Sequence, residues 1–162
     1  MVSTPSFRDR FQAYFEREIA AKAAAPLANG VEIELSVAEH GETPAEGDVF
    51  TFTKSGGKNQ LKAGPAEDPQ VLFTMTPRAA EAVLNDPAED IGHLGVGILK
   101  LIVSTDANNR ISIKLKAGFL TLFSKGYFGV VTAGGAGFAA FLASRGLSGM
   151  GAIKDALKKM RT

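Results

Sequence analysis

Thirty consecutive residues, Gly118 to Leu147, carry only two charges, Lys125 and Arg145, and hold five of the chain's eleven phenylalanines: Phe119, Phe123, Phe128, Phe138 and Phe141. Such a stretch cannot face water along its length. Its apolar surface has to be covered by the rest of the domain, by a bilayer or by an apolar ligand. Within it, Gly126 to Ser144 is 19 residues without a charge, which reaches the length of a membrane-spanning helix. Five glycines in that window argue against spanning, because each costs a helix about 1 kcal/mol relative to alanine. Gly134, Gly135 and Gly137 fall near its centre. The expectation is a segment packed on protein or on a ligand.

The rest of the composition narrows the field. A chain of 162 residues is most simply one domain, here 1–162, with room for a sizeable core. The net charge of +1 gives no electrostatic reason to bind nucleic acid or acidic substrates. There is no cysteine, which removes disulfides, thiol catalysis and cysteine metal sites. His40 and His93 are the two imidazoles. The first residues carry charges of both signs from Arg8 onward, unlike a secretory signal or a transit peptide, so a cytoplasmic location is expected.

Residues 4–25 have the pattern of an amphipathic helix, with Phe7, Phe11, Tyr14, Phe15 and Ile19 on one face. Thr4 before Pro5, or Ser6 with Asp9, can cap it, and Pro26 ends it. Asn29-Gly30 signals a turn, after which Val31, Ile33, Leu35 and Val37 alternate with polar residues as a half-buried strand. A second strand is expected at 49–54 and a third at 59–63, joined by the tight turn Ser55-Gly56-Gly57. Val71 to Met75 is apolar on nearly both faces and reads as a central buried strand. Thr76-Pro77 starts a helix that stops at Asn85-Asp86-Pro87. Val96 to Val103 reads as a buried strand, 106–109 as a hairpin loop, and Ile111 to Leu115 as the last alternating strand. Near the end, Gly146 stops a helix begun near Gly137, and Ser148 caps a final one bearing Lys154, Lys158, Lys159 and Arg161. The short links among strands predict an α+β domain: a mostly antiparallel sheet of about five strands covered by helices.

From Asp68 to Leu84, DPQVLFTMTPRAAEAVL, the chain resembles the sterol carrier protein type 2 family of lipid-binding domains: a buried strand ends in a Ser or Thr that caps a short helix with a Val/Leu-rich face. The resemblance continues through the glycine-containing turn and strands of GVGILKLIVSTDANNRISIKL, and takes in the opening strands from Val31 to Ala63. It covers residues 4–117; residues 118–162 form a longer, more apolar extension. What the resemblance implies is an apolar tunnel enclosed by the sheet and its helices. Such a tunnel takes a fatty acyl chain, an acyl-CoA, a sterol or a phospholipid, without catalysis, and the domain passes its ligand between membranes. The candidate lining residues are Phe73, Met75, Leu99, Leu101, Phe119, Phe123, Phe128, Phe138 and Phe141.

Other chemistry is weaker. Bare amides at Gly134, Gly135 and Gly137, ahead of a helix, are candidates for a lipid headgroup, although glycines there also serve close packing. The basic residues from Lys154 to Arg161 suit contact with an anionic membrane surface, or simply complement a helix C-terminus. Ser55-Gly56-Gly57-Lys58 has the spacing of an acyl-transfer serine–lysine pair but lies in a turn rather than a helix. Asp106 to Asn109 resembles the start of a calcium loop, yet Ile111 and Ala117 occupy the positions where glycine and an acid are needed. Asp90 and His93 are too few for a metal, so neither metal nor cofactor is expected. Two other function classes stand beside the lipid carrier. One is an interaction domain that buries its apolar C-terminal segment on a partner or a second copy; the other is a small enzyme using His93.

Overall fold

A computed structural model describes residues 6–87, 91–102, 104–118, 121 and 124–126, with Ile91 and Leu99 described by their backbone alone. Phe119, Phe123, Phe128, Phe138, Phe141, Gly134, Gly135, Gly137 and the basic C-terminal residues lie outside the described residues, as does Asp90.

The chain starts with α1, Phe7–Glu16, whose cap is Ser6: its hydroxyl accepts from the Asp9 amide at 3.1 Å. The single helix expected over 4–25 is broken at Arg17, whose extended backbone separates α1 from α2, Glu18–Ala24. The break frees backbone carbonyls, and the Asn59 amide reaches across to donate to Phe15 O at 3.1 Å and Ala20 O at 3.4 Å. Tertiary hydrogen bonds therefore compensate a break that the helical periodicity concealed.

Strands β1 (Glu32–Val37), β2 (Val49–Ser55) and β3 (Lys58–Ala63) follow as an antiparallel meander. After a crossover loop come β4, Val71–Met75, and α3, Pro77–Leu84, with Thr76 Oγ1 accepting from the Ala79 amide as the cap. The Ile91–Ile102 segment is the helix α4, and β5 is Ile111–Leu115. Over Val96 to Ile102 the expected strand is thus corrected to the C-terminal part of a helix, Val103 lies outside the described residues, and 106–109 joins a helix to a strand rather than closing a hairpin. The spacing of Leu94, Ile98, Leu101 and Ile102 (three, four and eight apart) explains the helix: it puts all four on one face, toward the core.

The five strands run in the order β3-β2-β1-β4-β5, with every pairing antiparallel except β1 beside β4. The fold is the expected α+β class. One face of the sheet carries Leu35, Val37, Phe50, Phe52, Val71, Met75, Ile111 and Leu115, all buried, and packs against the helices. The other carries Glu34, Thr51, Lys62, Thr74, Ser112 and Lys114. The crossover loop runs over that polar face. The Ala66 amide donates to Glu34 Oε1 at 3.1 Å, the Asp68 amide to Glu32 Oε2 at 3.0 Å, and Thr51 Oγ1 to Gly64 O at 3.0 Å. The loop explains the parallel pair: the chain returns from the β3 edge past β2 and β1 before it enters β4. β4 is interior, as expected, but it is not buried on both faces, since Leu72 is half-buried and Thr74 exposed.

Candidate functional site

Lys54 follows Phe50 and Phe52 at strand spacing, so its side chain enters the core side of the sheet, where it is only 7% exposed. Its ammonium donates to the carbonyls of Ala24 at 3.0 Å, Ala25 at 3.0 Å and Leu27 at 2.9 Å. These carbonyls are at the end of α2, where the helix dipole is negative, so the cation is satisfied without a carboxylate. The same loop receives the chain from the other side. The Ala28 amide donates to Lys125 O at 2.9 Å, and Gly126 lies so close to Pro26 that a Cβ there would overlap the Pro26 carbonyl. Gly126 also has φ +90°, a conformation that side chains disfavour. This is a structural clamp with no free valence.

A cleft of about 320 Å³ opens between α3 and α4, bounded by Ala82, Val83 and Asp86 on one side and Gly97, Ile98, Lys100 and Leu101 on the other. Ser104 and Asn109 also line it. Ile98 and Leu101 are half-buried, while Val83 belongs to the core. The missing side chain at Gly97 lets α4 approach α3: a Cβ would come within 2.6 Å of Asp86 Oδ2. Asp86 is half-buried. The Tyr14 hydroxyl is pushed up to about 12, chiefly by burial, with Arg17 pulling it down and Asp86 adding a smaller push upward. Among the described residues, the Tyr14 hydroxyl and Asn109 Oδ1 are buried without a hydrogen-bond partner. Buried polar atoms of this kind are uncommon in a folded protein.

Of the residues expected to line a tunnel, Leu101 is in the cleft wall. Met75 is in the core at 3% exposure, and Phe73 is half-buried against it on the helix-facing side of the sheet. Residues that sequence reasoning missed are Asp86, taken there only as part of a helix stop, together with Gly97, Asn109 and Lys54. Lys54 did leave a signal, a cation in register with two phenylalanines. His93 is exposed on α4, and His40 is exposed in the loop before β2. Among the described residues no group of three His, Cys, Asp or Glu side chains is placed to hold a metal. Ser55 and Lys58 pair across the β2–β3 turn and are exposed, and Asp106 Oδ1 accepts from the Asn108 amide at 2.9 Å, as a turn residue does. No described helix is long and apolar enough to cross a membrane.

Comparison with models of protein families, with curated proteins and with solved structures finds no match to this chain. The site must be read from its own geometry.

Proposed function

We propose that this protein binds a single-chain lipid, without catalysing a reaction on it, in the cleft between α3 and α4. The observation that carries the reading is the incomplete burial of α4. Leu94 of this apolar helix is buried, whereas Val96, Ile98, Leu101 and Ile102 are only half-buried, and Ile98 and Leu101 line the cleft. Burial of an acyl chain against them gains about 25 cal/mol per Å² of apolar surface removed from water. At about 320 Å³ the cleft has room for one acyl chain of medium length, with the remainder of a larger ligand left outside it. In this reading the cleft is the entrance to the tunnel implied by the sterol-carrier resemblance, and delivery to an anionic membrane through the C-terminal lysines belongs to the same proposal.

Two measurements test it. Native mass spectrometry of gently purified protein should find single-chain lipid retained. A fluorescent single-chain amphiphile with an uncharged head should bind the protein and lose its binding in Leu101→Asp, with thermal unfolding showing that the variant is folded. Unchanged binding in the folded variant, with no retained lipid, overturns the proposal. A protein that instead runs as a dimer, whose dissociation exposes α4, supports the interaction-domain reading, to which the half-covered helix is equally suited.

A further inference from the structure

Asn29-Gly30 is the one place in the chain where an asparagine precedes a glycine; Asn59, Asn85, Asn108 and Asn109 are all followed by larger residues. The pair has a chemical consequence. With no Cβ on residue 30, its main-chain nitrogen is free to approach the side-chain carbonyl carbon of Asn29 and close a five-membered ring. Both residues are exposed, and a Cβ on Gly30 would meet nothing within 4 Å, so packing obstructs neither the approach nor the entry of water. Two hydrogen bonds do restrain the pair. The Gly30 amide donates to Lys54 O at 2.8 Å, and Asn29 Oδ1 accepts from the Gly57 amide at 2.9 Å. The first keeps on the nitrogen the proton that it must lose before it attacks. The second ties the Asn29 side chain to the β2–β3 turn. A donor at Oδ1 would ease the charge that develops there during attack, but only after the nitrogen is released. Lys54 therefore holds the loop twice: its ammonium binds the carbonyls of Ala24, Ala25 and Leu27, and its own carbonyl binds Gly30.

We propose that Asn29 is a site of spontaneous deamidation, and that Lys54 governs its rate by keeping the loop from Ala25 to Gly30 closed. In the reaction the Gly30 nitrogen gives its proton to solvent base and bonds to Asn29 Cγ. The Cγ–Nδ2 bond breaks, and the side-chain nitrogen takes up a proton and leaves as ammonia. Water then opens the ring. Cleavage between the ring nitrogen and Cγ leaves aspartate. Cleavage between the ring nitrogen and the main-chain carbonyl carbon leaves isoaspartate, whose chain runs through the former side chain and is longer by one methylene. The two products differ for the fold. Aspartate keeps the backbone and still offers an oxygen to the Gly57 amide. Isoaspartate lengthens the chain between Ala28, whose amide donates to Lys125 O, and Gly30, so the Ala28 and Gly30 bonds no longer both keep their geometry. Chemical change at one exposed asparagine thus loosens the loop against which Gly126 packs.

The test is peptide mapping by mass spectrometry of the full-length chain held in mildly alkaline buffer, folded and in denaturant. Aspartate and isoaspartate are resolved at each of the five asparagines. In denaturant Asn29 should convert fastest. In the folded protein its rate should fall about tenfold or more, the factor for about 1.4 kcal/mol of local opening. Urea below the unfolding transition favours opening without changing the sequence, and should raise the folded rate. Lys54→Met removes the ammonium and leaves the main-chain carbonyl, and Gly126→Ala presses on Pro26 from the other side. In each variant that thermal unfolding shows to be folded, Asn29 should convert about threefold or more faster than in the parent. The isoaspartate form, separated by ion exchange, should unfold at a lower temperature than Asn29→Asp, which should match the parent. Faster conversion of another asparagine in denaturant, a folded rate equal to the denatured one, or a folded Lys54→Met with the parent's rate overturns the inference.

Discussion

The two ends of the helix-facing side of the sheet are built differently. Around β2 and α1 the core is closed by aromatic rings. Phe11 is 1% exposed and Phe50 fully buried, and their ring centroids are 5.7 Å apart. Phe15 packs on Phe52 at 4.9 Å. Around β4, β5 and α4 the buried side chains are aliphatic or Met (Val71, Met75, Leu94, Ile111 and Leu115), and Phe73, Ile98, Leu101, Ile102 and Ile113 are half-buried around them. Both regions stabilise the fold, and the second also gives Ile98 and Leu101 to the cleft wall. That division separates residues whose loss unfolds the protein from residues whose loss empties a site.

The sharpest test of this division is a pair of truncations. Phe50→Ala should cost about 3–5 kcal/mol in chemical denaturation, the range for an aromatic removed from a dry core. Leu101→Ala should cost less than about 1 kcal/mol, since it borders a cleft and leaves little new void. Equal losses would erase the distinction. Next in size is Lys54→Met, which keeps the aliphatic stem and removes three hydrogen bonds. Three orphaned carbonyls at about 1–3 kcal/mol each make a loss of at least about 3 kcal/mol the expected result. Gly126→Ala should cost roughly 1–3 kcal/mol by forcing a side chain into a left-handed conformation against Pro26. A neutral outcome in thermal unfolding would show that the 124–126 segment does not pack on the Pro26–Ala28 loop.

The smallest effect is expected at the Arg10–Glu81 pair, which ties α1 to α3 through two hydrogen bonds, one of 2.7 Å between Nη2 and Oε2. The Arg10 hydrogen bond holds the Glu81 carboxyl below its ordinary range. Its contribution is therefore present above that range and lost as pH falls through the lowered value in the folded state. Glu81 is 45% exposed, so solvent screening limits the contribution to under about 1 kcal/mol. Glu81→Gln should lose that amount at neutral pH and nothing in acid. A loss in acid as large as that at neutral pH would contradict the assignment.

The elements in which local chemistry and tertiary packing agree were legible in the sequence. The alternation in β1 and β5, the Ser55-Gly56-Gly57 turn and the Thr76 cap with Pro77 each state their structure within a few residues. The helix α4 did not, because its β-branched residues favour a strand and its three glycines weaken a helix, and its decision rests on the spacing of Leu94, Ile98 and Leu101. The Arg17 break was hidden because the compensating donor, Asn59, comes from a strand 42 residues later. The cleft was legible only at Leu101. Asp86 and Gly97 meet through tertiary structure, and nothing in the local sequence of either announces the other.

The central claim is that the space between α3 and α4 takes an acyl chain. The chain contains no tryptophan, so one placed at the cleft rim reports on that space alone. Ala82 lines the cleft and is exposed, and Ser112 is exposed on the opposite, polar face of the sheet. A brominated ten-carbon alcohol, whose bromine quenches indole fluorescence on contact, should quench Ala82→Trp saturably, be displaced by decanol, and leave Ser112→Trp unaffected. Equal quenching at both positions, or none at Ala82→Trp in a folded protein, would contradict the account.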